Sequence, residues 1–137
     1  SYFCDFDRNY AFGFICDEAI KAYKVVFDAT DAGFSAAQVG HTTSDVYHAM
    51  NNVMQKGGAL GNSVGRLGHG LGLQLTEWPS NTATDNTILK PGVILTLEPG
   101  MEYLSGKEMV HEENIVITEN GPEWLTKRAP EELPIIQ

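Results

Sequence analysis

The chain has 137 residues, 42% of them hydrophobic, and a formal net charge of −9. This length suits one domain with a sizeable core. The acidic balance disfavours nucleic acid and anionic membrane surfaces, because both require clustered lysine and arginine. No apolar run approaches the roughly 20 residues of a spanning helix, so we expect no membrane association. Two cysteines, Cys4 and Cys16, are too few for a disulfide framework and indicate a reducing, cytoplasmic location.

The chain opens on SYFCDFDRNYAFGF, an aromatic-rich stretch with no polar leader. Its rough alternation predicts one or two strands over Ser1–Cys16, with a turn near Arg8–Asn9. Natural N-termini usually begin with looser sequence, so we expect a fragment of a longer protein that starts within a sheet.

Two helices are predicted next. Asp17 is a suitable N-cap for a helix over Glu18–Asp31, ended by Asp31–Gly33 and followed by a loop over Phe34–Thr42. Thr43 or Ser44 would cap a second helix to about Lys56, and Gly57 and Gly58 would stop it. Apolar residues at helical spacing give each helix a core-facing stripe. The first stripe contains Ile20, Tyr23, Phe27 and Thr30, and the second contains Val46, Ala49, Met50, Val53 and Met54.

The stretch Arg66–Pro79 reads RLGHGLGLQLTEWP and places His69 between two glycines. A glycine-rich connector, Ala59–Gly65, leads into it. Glycine lets the backbone pass close to whatever the imidazole contacts. Three alternating leucines predict a strand with one buried face, on which a histidine needs a partner for its ring nitrogens. These leucines are Leu71, Leu73 and Leu75.

Antiparallel strands are predicted for the remainder of the chain. The polar stretch Glu77–Lys90 is interpreted as a loop or flap over the mouth of a site. Turn residues bound strands over Val93–Glu98, Glu102–Leu104 and Met109–Thr118. The tail, Trp124–Gln137, is expected to be irregular coil or a short strand. Strands, then two helices, then antiparallel strands predict an α+β fold.

Three acidic residues are embedded in apolar, strand-like sequence. Asp5 lies among aromatic residues, Glu98 ends one apolar run, and Glu112 lies inside another. A buried carboxylate without a partner loses its hydration, and a bound cation offsets that cost. Together with His69, these side chains predict a buried divalent-metal site.

Several segments resemble the signatures of a known family. GHGLGL at 68–73, LTLEPGM at 95–101 and VHEENIVITENG at 110–121 are similar to the creatinase, prolidase and methionine aminopeptidase family. The opening YFCDFDR resembles the family segment that carries a metal-binding aspartate shortly before an arginine. The resemblance implies the "pita-bread" fold, with residues 1–137 as the C-terminal portion of the catalytic domain.

The resemblance also implies a two-metal site held by two aspartates, one histidine and two glutamates. Asp5 takes the place of the second aspartate, His69 of the histidine, Glu98 of the first glutamate and Glu112 of the second. Two divalent ions of manganese, cobalt, zinc or iron suit these donors and can activate a bridging water. Glu113 is the alternative to Glu112, because strand alternation excludes both from one face.

Three departures from the family pattern bear on activity. The other aspartate would fall before Ser1, so these residues alone would hold an incomplete site. Thr76 stands where the family's peptidases have a histidine that steadies the substrate, and threonine carries no charge near neutral pH. Asp7 stands where a threonine is usual; it could bind metal, hydrogen-bond a ligand or pair with Arg8.

The other histidines are not interpreted as ligands. His111 should face away from Glu112, either at the surface or in a second layer of packing. His41 and His48, on a loop and on a helix face, are interpreted as structural. Trp78 either walls the substrate pocket or packs beneath the loop.

The leading hypothesis is a metal-dependent hydrolase of the aminopeptidase P or prolidase branch that cleaves a peptide bond. Glu98 would shuttle the proton, Thr76 would occupy a catalytic position, and the intact protein would form a homodimer. The fragment alone is expected to be inactive. Alternatives are a creatinase-like enzyme that cleaves an amidine without metals, a dimethylsulfoniopropionate lyase with Asp7 or Glu77 as base, or a binding module with an eroded site.

Overall fold

The structure, a computed structural model, describes residues 1–61 and 65–137. Within them, one short strand is followed by two helices and then by eight strands, an order that confirms the predicted α+β class. The helices are α1 (Asp17–Ala36) and α2 (Thr43–Lys56). The strands are β1 (Ala11–Phe12), β2 (His69–Gly70), β3 (Glu77–Ser80), β4 (Ile94–Leu97), β5 (Gly100–Leu104), β6 (Lys107–Val110), β7 (Glu113–Thr118), β8 (Gly121–Trp124) and β9 (Ile135–Ile136).

Five strands form the main sheet, in the order β3-β2-β4-β7-β8, with every neighbouring pair antiparallel. Strands β5 and β6 form a separate antiparallel pair, and β1 pairs in parallel with β9. Although β2 has only two residues, it pairs with β3 on one side and β4 on the other. His69 therefore lies inside the sheet and not on its edge.

Helix α1 differs from its prediction at both ends and on its buried face. It begins after Cys16, which makes no side-chain capping bond, and continues past Asp31 to Ala36. Ile20, predicted to face the core, is 47% exposed. The residues that face the core are Ala19, Ala22, Tyr23, Val26, Ala29, Thr30 and Gly33.

Gly33 does not end α1 but lies inside it, where the absence of a side chain leaves room for α2. A Cβ built on Gly33 would lie 2.7 Å from Cγ of Met50 on α2. The loop predicted over Phe34–Thr42 is shorter than expected, because the helix extends to Ala36. Glycine here brings the two helices into close contact.

Helix α2 matches its prediction more closely. Its N-cap is Thr42, one residue before the predicted position, and Thr42 and Asp45 form a capping box. Gly57 caps the C-terminal end, as predicted. Val46, Met50 and Met54 are buried, whereas the other two residues of the predicted stripe, Ala49 and Val53, are only partly buried.

One hydrophobic core joins both helices to strands β4 to β7. Its members are largely aliphatic side chains that alternate along the strands, as burial of one sheet face requires. They include Val26, Ala29, Met50, Met54, Leu95, Leu97, Met101, Met109, Ile115 and Ile117.

The predicted strand through three leucines is wrong. Leu71 is buried, but Leu73 is 72% exposed and residues 72–76 form a bend. The Gly72 N–H donates to the carbonyl of Gln74 (3.1 Å), which turns the chain away from the sheet. The chain returns as β3, so the predicted loop Glu77–Lys90 contains an edge strand.

Two other strand predictions need correction. Only Ala11–Phe12 is a strand within Ser1–Cys16, because most of this segment is held by side-chain bonds and not by a ladder. The single strand predicted over Met109–Thr118 is divided into β6 and β7. The division at residues 111–112 lets β6 pair with β5 while β7 pairs with β4.

The remaining predictions vary in outcome. Strand β4 confirms the core of Val93–Glu98, β5 extends the short strand predicted at Glu102–Leu104, and the tail contains β9. Residues 62–64 of the predicted connector Ala59–Gly65 lie outside the described residues. Neither described helix has the length and apolar character needed to cross a bilayer.

Candidate metal centre

Three of the predicted ligands converge on one point. Asp5, His69 and Glu112 each offer a nitrogen or oxygen atom, and these atoms all lie within 4.8 Å of one another. Nε2 of His69 is 3.7 Å from Oδ2 of Asp5 and 3.9 Å from Oε1 of Glu112. His69 and Glu112 are buried, whereas Asp5 is half-buried. The fold thus assembles a carboxylate–imidazole group from three distant parts of the chain.

The backbone around His69 fixes the orientation of its ring. The His69 N–H donates to the hydroxyl of Thr96 (3.0 Å), and Nδ1 lies 2.8 Å from the carbonyl of Gly70. A carbonyl only accepts hydrogen bonds, so Nδ1 carries the proton. Nε2, which faces the carboxylates, is then left with the lone pair that a metal ligand needs.

Gly68 explains how β2 comes so close to β4. Its φ is +127°, and a Cβ at this position would lie 2.1 Å from the backbone oxygen of Thr96. Glycine is therefore required immediately before His69, both for the backbone conformation and for the space.

Glu112 is buried with an unsatisfied oxygen. Its Oε1 has no hydrogen-bond partner among the residues that the structure describes. Burial, followed by the charges of Glu98, Asp5 and Asp7, raises the pKa of Glu112 to about 8. Such an oxygen, facing an imidazole lone pair, fits a divalent cation, which would remove the desolvation cost.

Glu98 lies beside this group of three but outside it. Its backbone N–H donates to the carbonyl of Leu67 (3.0 Å), next to the segment that leads to His69. Its Oε2 is also buried and unpartnered within the described part of the chain. Burial raises the pKa of Glu98, and the charges of His69 and Arg66 oppose that rise.

The two adjacent glutamates have different environments. Glu113 is fully buried, and its carboxylate accepts hydrogen bonds from Nη2 of Arg8 (3.0 Å), the Ala129 N–H (2.8 Å) and the hydroxyl of Thr126. These donors occupy both of its oxygens. Of the two alternatives, the geometry places Glu112 and not Glu113 next to His69.

Two residues that depart from the family pattern, Thr76 and Asp7, lie outside the group formed by Asp5, His69 and Glu112. Thr76 is exposed in the bend over residues 72–76. Asp7 is exposed as well; desolvation and the charge of Asp5 raise its pKa, and Arg8 opposes this. Of the three alternatives for Asp7, a side-chain pair with Arg8 is not seen in the described part of the chain: Arg8 pairs with Glu113 and donates to the backbone carbonyl of Asp7 (2.7 Å).

His111 is buried and packs edge-on against Tyr23 and Phe27, with ring centroids 4.6 and 6.0 Å away. Burial, with a contribution from Arg128, lowers the pKa of His111 to about 4. Of the two placements predicted for His111, surface or packing, the structure shows packing. His41 and His48 are exposed, His41 bonding to a backbone carbonyl and His48 packing edge-on against a tyrosine ring.

Trp78 is 75% exposed, so it does not pack beneath the loop. It borders an open groove together with Leu73, Thr76 and Ser80.

Sequence reasoning missed Thr96 and Asn114. Thr96 holds the backbone of His69, and Asn114 bonds to the backbone of Asp5. One signal was available, because Asn114 lies two residues after Glu112 and strand alternation places both on the same face.

An α+β chain with a buried carboxylate–imidazole group has the architecture of a metalloenzyme domain. The model of metallopeptidase family M24 matches residues 1–119, and the chain belongs to this family. It is 31% identical to an Xaa-Pro dipeptidase of Pyrococcus furiosus over 126 residues, which are 92% of this chain and 36% of that protein.

Solved structures agree with the family. A dipeptidase from Pyrococcus horikoshii superposes with a TM-score of 0.90 and 35% identity, covering 98% of this chain and 38% of that one. An X-Pro aminopeptidase from Thermotoga maritima gives a TM-score of 0.86 at 29% identity, with the same coverage. The chain therefore has the pita-bread fold in part, and it spans 36–38% of the length of these relatives.

Proposed function

We propose that the intact protein is a metal-dependent hydrolase of Xaa-Pro peptides, in which residues 1–137 are the C-terminal portion of the catalytic domain. The observation that carries this proposal is the convergence of Asp5, His69 and Glu112. The names of two relatives, an Xaa-Pro dipeptidase and an X-Pro aminopeptidase, support the substrate class. We also propose a cytoplasmic homodimer, and an inactive fragment when these residues stand alone.

Asp5, His69, Glu98 and Glu112 would hold two divalent ions of manganese, cobalt, zinc or iron, together with a further aspartate. The fit rests on two buried carboxylate oxygens without a hydrogen-bond partner among the described residues, one from Glu98 and one from Glu112, and on Nε2 of His69, which faces Asp5 and Glu112. When bound, such ions would polarise the peptide carbonyl and activate water.

The protein groups supply proton transfer and positioning. Glu98 would also pass the proton on as a general acid or base, the role that its position in the family pattern implies, and burial raises the pKa of its carboxyl. Thr76 would donate one hydrogen bond to the substrate in place of the family's histidine. The uncharged threonine hydroxyl gives weaker stabilisation than an imidazolium would.

The test uses protein expressed from the complete reading frame, with manganese or cobalt added, and a panel of Xaa-Pro dipeptides. We expect release of proline, reduced about a hundredfold or more in Glu98→Gln. Glu119→Gln, an exposed glutamate in a turn, is the matched control and should keep full activity. Hydrolysis no faster than that of Glu98→Gln would contradict the proposal.

An elimination reaction is the second candidate, because Asp7 adds a carboxylate close to Asp5 where the family has a threonine. Glu77, the other predicted base, accepts the N–H of Gln74 (2.7 Å) and is less available. Product analysis separates the reactions: an alkene indicates a lyase, an amine a peptidase, and urea the creatinase-like amidinohydrolase. An intact protein that binds no metal and turns over no substrate would instead be a binding module.

A further inference from the structure

Asp5 needs an external support, because residues 1–10 form neither a helix nor a strand. The aromatic neighbours of Asp5 contribute little packing, since Phe3 and Phe6 are 54% and 50% exposed. A metal ligand on such a segment must be held by specific bonds if it is to stay near His69 and Glu112.

Asn114 provides two of these bonds. Its Oδ1 accepts the backbone N–H of Asp5 (3.1 Å), and its Nδ2 donates to the backbone carbonyl of Asp5. This paired arrangement replaces the ladder bonds that Asp5 would have in a strand. Because asparagine is both donor and acceptor, it can make both bonds with one side chain.

The position of Asn114 is itself well fixed. Its side chain is buried, its N–H donates to the hydroxyl of Thr126 (3.0 Å), and its carbonyl accepts the N–H of Leu125 (2.8 Å). In the β4–β7 register it lies opposite Thr96, whose hydroxyl holds the N–H of His69. The side chains that bond to the backbones of Asp5 and His69 are thus neighbours on the paired strands β7 and β4.

A second clamp holds the same segment three residues further on. Arg8 donates to the carboxylate of Glu113 (3.0 Å) and to the backbone carbonyl of Glu112 (3.2 Å). The three consecutive residues from Glu112 to Asn114 therefore have separate tasks: the first faces His69, the second holds Arg8 and the third holds Asp5.

We infer that Asn114 is a positioning residue of the metal centre, which sets the place of the Asp5 carboxylate relative to His69 and Glu112 through its two bonds to the Asp5 backbone. The inference rests on the proposed function, since it requires these side chains to hold cations. Residues that orient metal ligands typically change metal affinity ten- to a hundredfold when they are replaced.

Cobalt binding by protein expressed from the complete reading frame tests this, measured by calorimetry and by visible absorption, which reports the geometry of the ligands. Asn114→Leu keeps the size of the side chain and removes both bonds. We expect affinity about ten- to a hundredfold weaker and an altered cobalt spectrum. Asn52→Leu makes the same chemical change at an exposed position on α2 and should leave both unchanged.

A second variant decides the matter if Asn114→Leu does not fold. Asn114→Gln keeps the amide but lengthens the side chain, so Asp5 is displaced, and we expect weaker binding and a shifted spectrum. A folded Asn114 variant with wild-type affinity and spectrum would overturn the positioning role alone. Absence of cobalt binding by the wild-type protein would overturn the proposed function, and the inference with it.

Discussion

At the scale of single residues, two adjacent buried glutamates differ in the partners of their carboxylates. Glu112 and Glu113 are adjacent, and both are buried. Glu113 pairs with Arg8 and accepts further bonds from Ala129 and Thr126, whereas one oxygen of Glu112 has no hydrogen-bond partner in the described structure. The first arrangement satisfies the buried carboxylate within the fold, and the second leaves an oxygen that is suited to a cation.

Replacement of each glutamate by glutamine should separate these roles. In metal-free protein at pH 7, Glu112→Gln should raise the free energy of unfolding, because the raised pKa of Glu112 means that folding makes its carboxyl take up a proton that the unfolded chain has lost, and glutamine removes that cost. Glu113→Gln should destabilise by about 3 kcal/mol, since it breaks a buried ion pair. Metal titration should show the largest loss of affinity in Glu112→Gln. Equal unfolding free energies for the two variants would contradict this assignment.

His111 should make the protein less stable in acid. Its folded pKa of about 4 lies below the unfolded value of 6.5, so the unfolded state binds the proton more readily. The resulting stability is complete above pH 6.5 and is lost as the pH falls toward 4, by at most about 1.4 kcal/mol per pH unit.

Urea unfolding in EDTA at pH 7.5 and pH 5 measures this effect. The loss of stability on acidification should be smaller in His111→Leu than in the wild-type protein, while the exposed His48→Leu should behave like wild type. The variant comparison is needed because Glu112 and Glu98, with raised pKa values, change stability in the opposite direction. Identical pH dependence in His111→Leu and wild type would rule out this role.

At the scale of the elements, close backbone contacts hold the short strand β2 in position. Strand β2 has two residues, yet it is held between β3 and β4. Gly68 permits the approach to β4, and Gly70 permits the approach to β3, because a Cβ there would lie 2.5 Å from the backbone oxygen of Trp78. His69 is therefore fixed on both sides by glycines that no larger residue can replace.

Gly68→Ala should be much more damaging than Gly40→Ala. Both glycines have positive φ, but a Cβ on Gly40 would meet no described atom within 4 Å. We expect Gly40→Ala to cost about 1 kcal/mol from backbone strain alone. Gly68→Ala adds a collision with Thr96 and should cost above about 3 kcal/mol. Urea unfolding measures both, and a similar cost for the two would show that the close approach is unimportant.

At the scale of the whole molecule, folding brings carboxylates together against their mutual repulsion. The charges of Asp5 and Asp7 contribute to the raised pKa values of Glu112 and Glu98, in a chain whose net charge is already −9. A divalent cation would relieve both the repulsion and the desolvation, so ligand binding and folding stability are linked.

Metal affinity should therefore rise with pH. Glu112 has a pKa of about 8 without metal, and a cation must displace its proton. Between pH 6 and 8 we expect affinity for manganese to increase by up to about tenfold per unit for each proton released. Calorimetry in two buffers of different ionisation enthalpy counts these protons, and Glu119→Gln serves as the control. Affinity that is independent of pH would contradict the raised pKa of Glu112.

The candidate ligands of the centre were readable in the sequence because they stand in unusual settings. A histidine between glycines and acids inside apolar runs marked His69, Glu98 and Glu112 as candidates. Strand β4 and the C-cap of α2 also followed from local signals, whereas the N-cap of α2 lies one residue before the predicted position. The exposed leucines and the division of β6 from β7 were not predictable, since an alternating pattern does not show where a chain bends.

The sequence by itself determined the α+β class, the family and a set of candidate donor side chains, because residue type and local spacing carry that information. Only the tertiary structure decided that Glu112 and not Glu113 faces His69, and that Asn114 holds Asp5. Which face a side chain occupies depends on strand register and on partners more than 100 residues away, as in the contact between Asp5 and Asn114, 109 residues apart. Neither the strand register nor these distant partners can be inferred from local sequence.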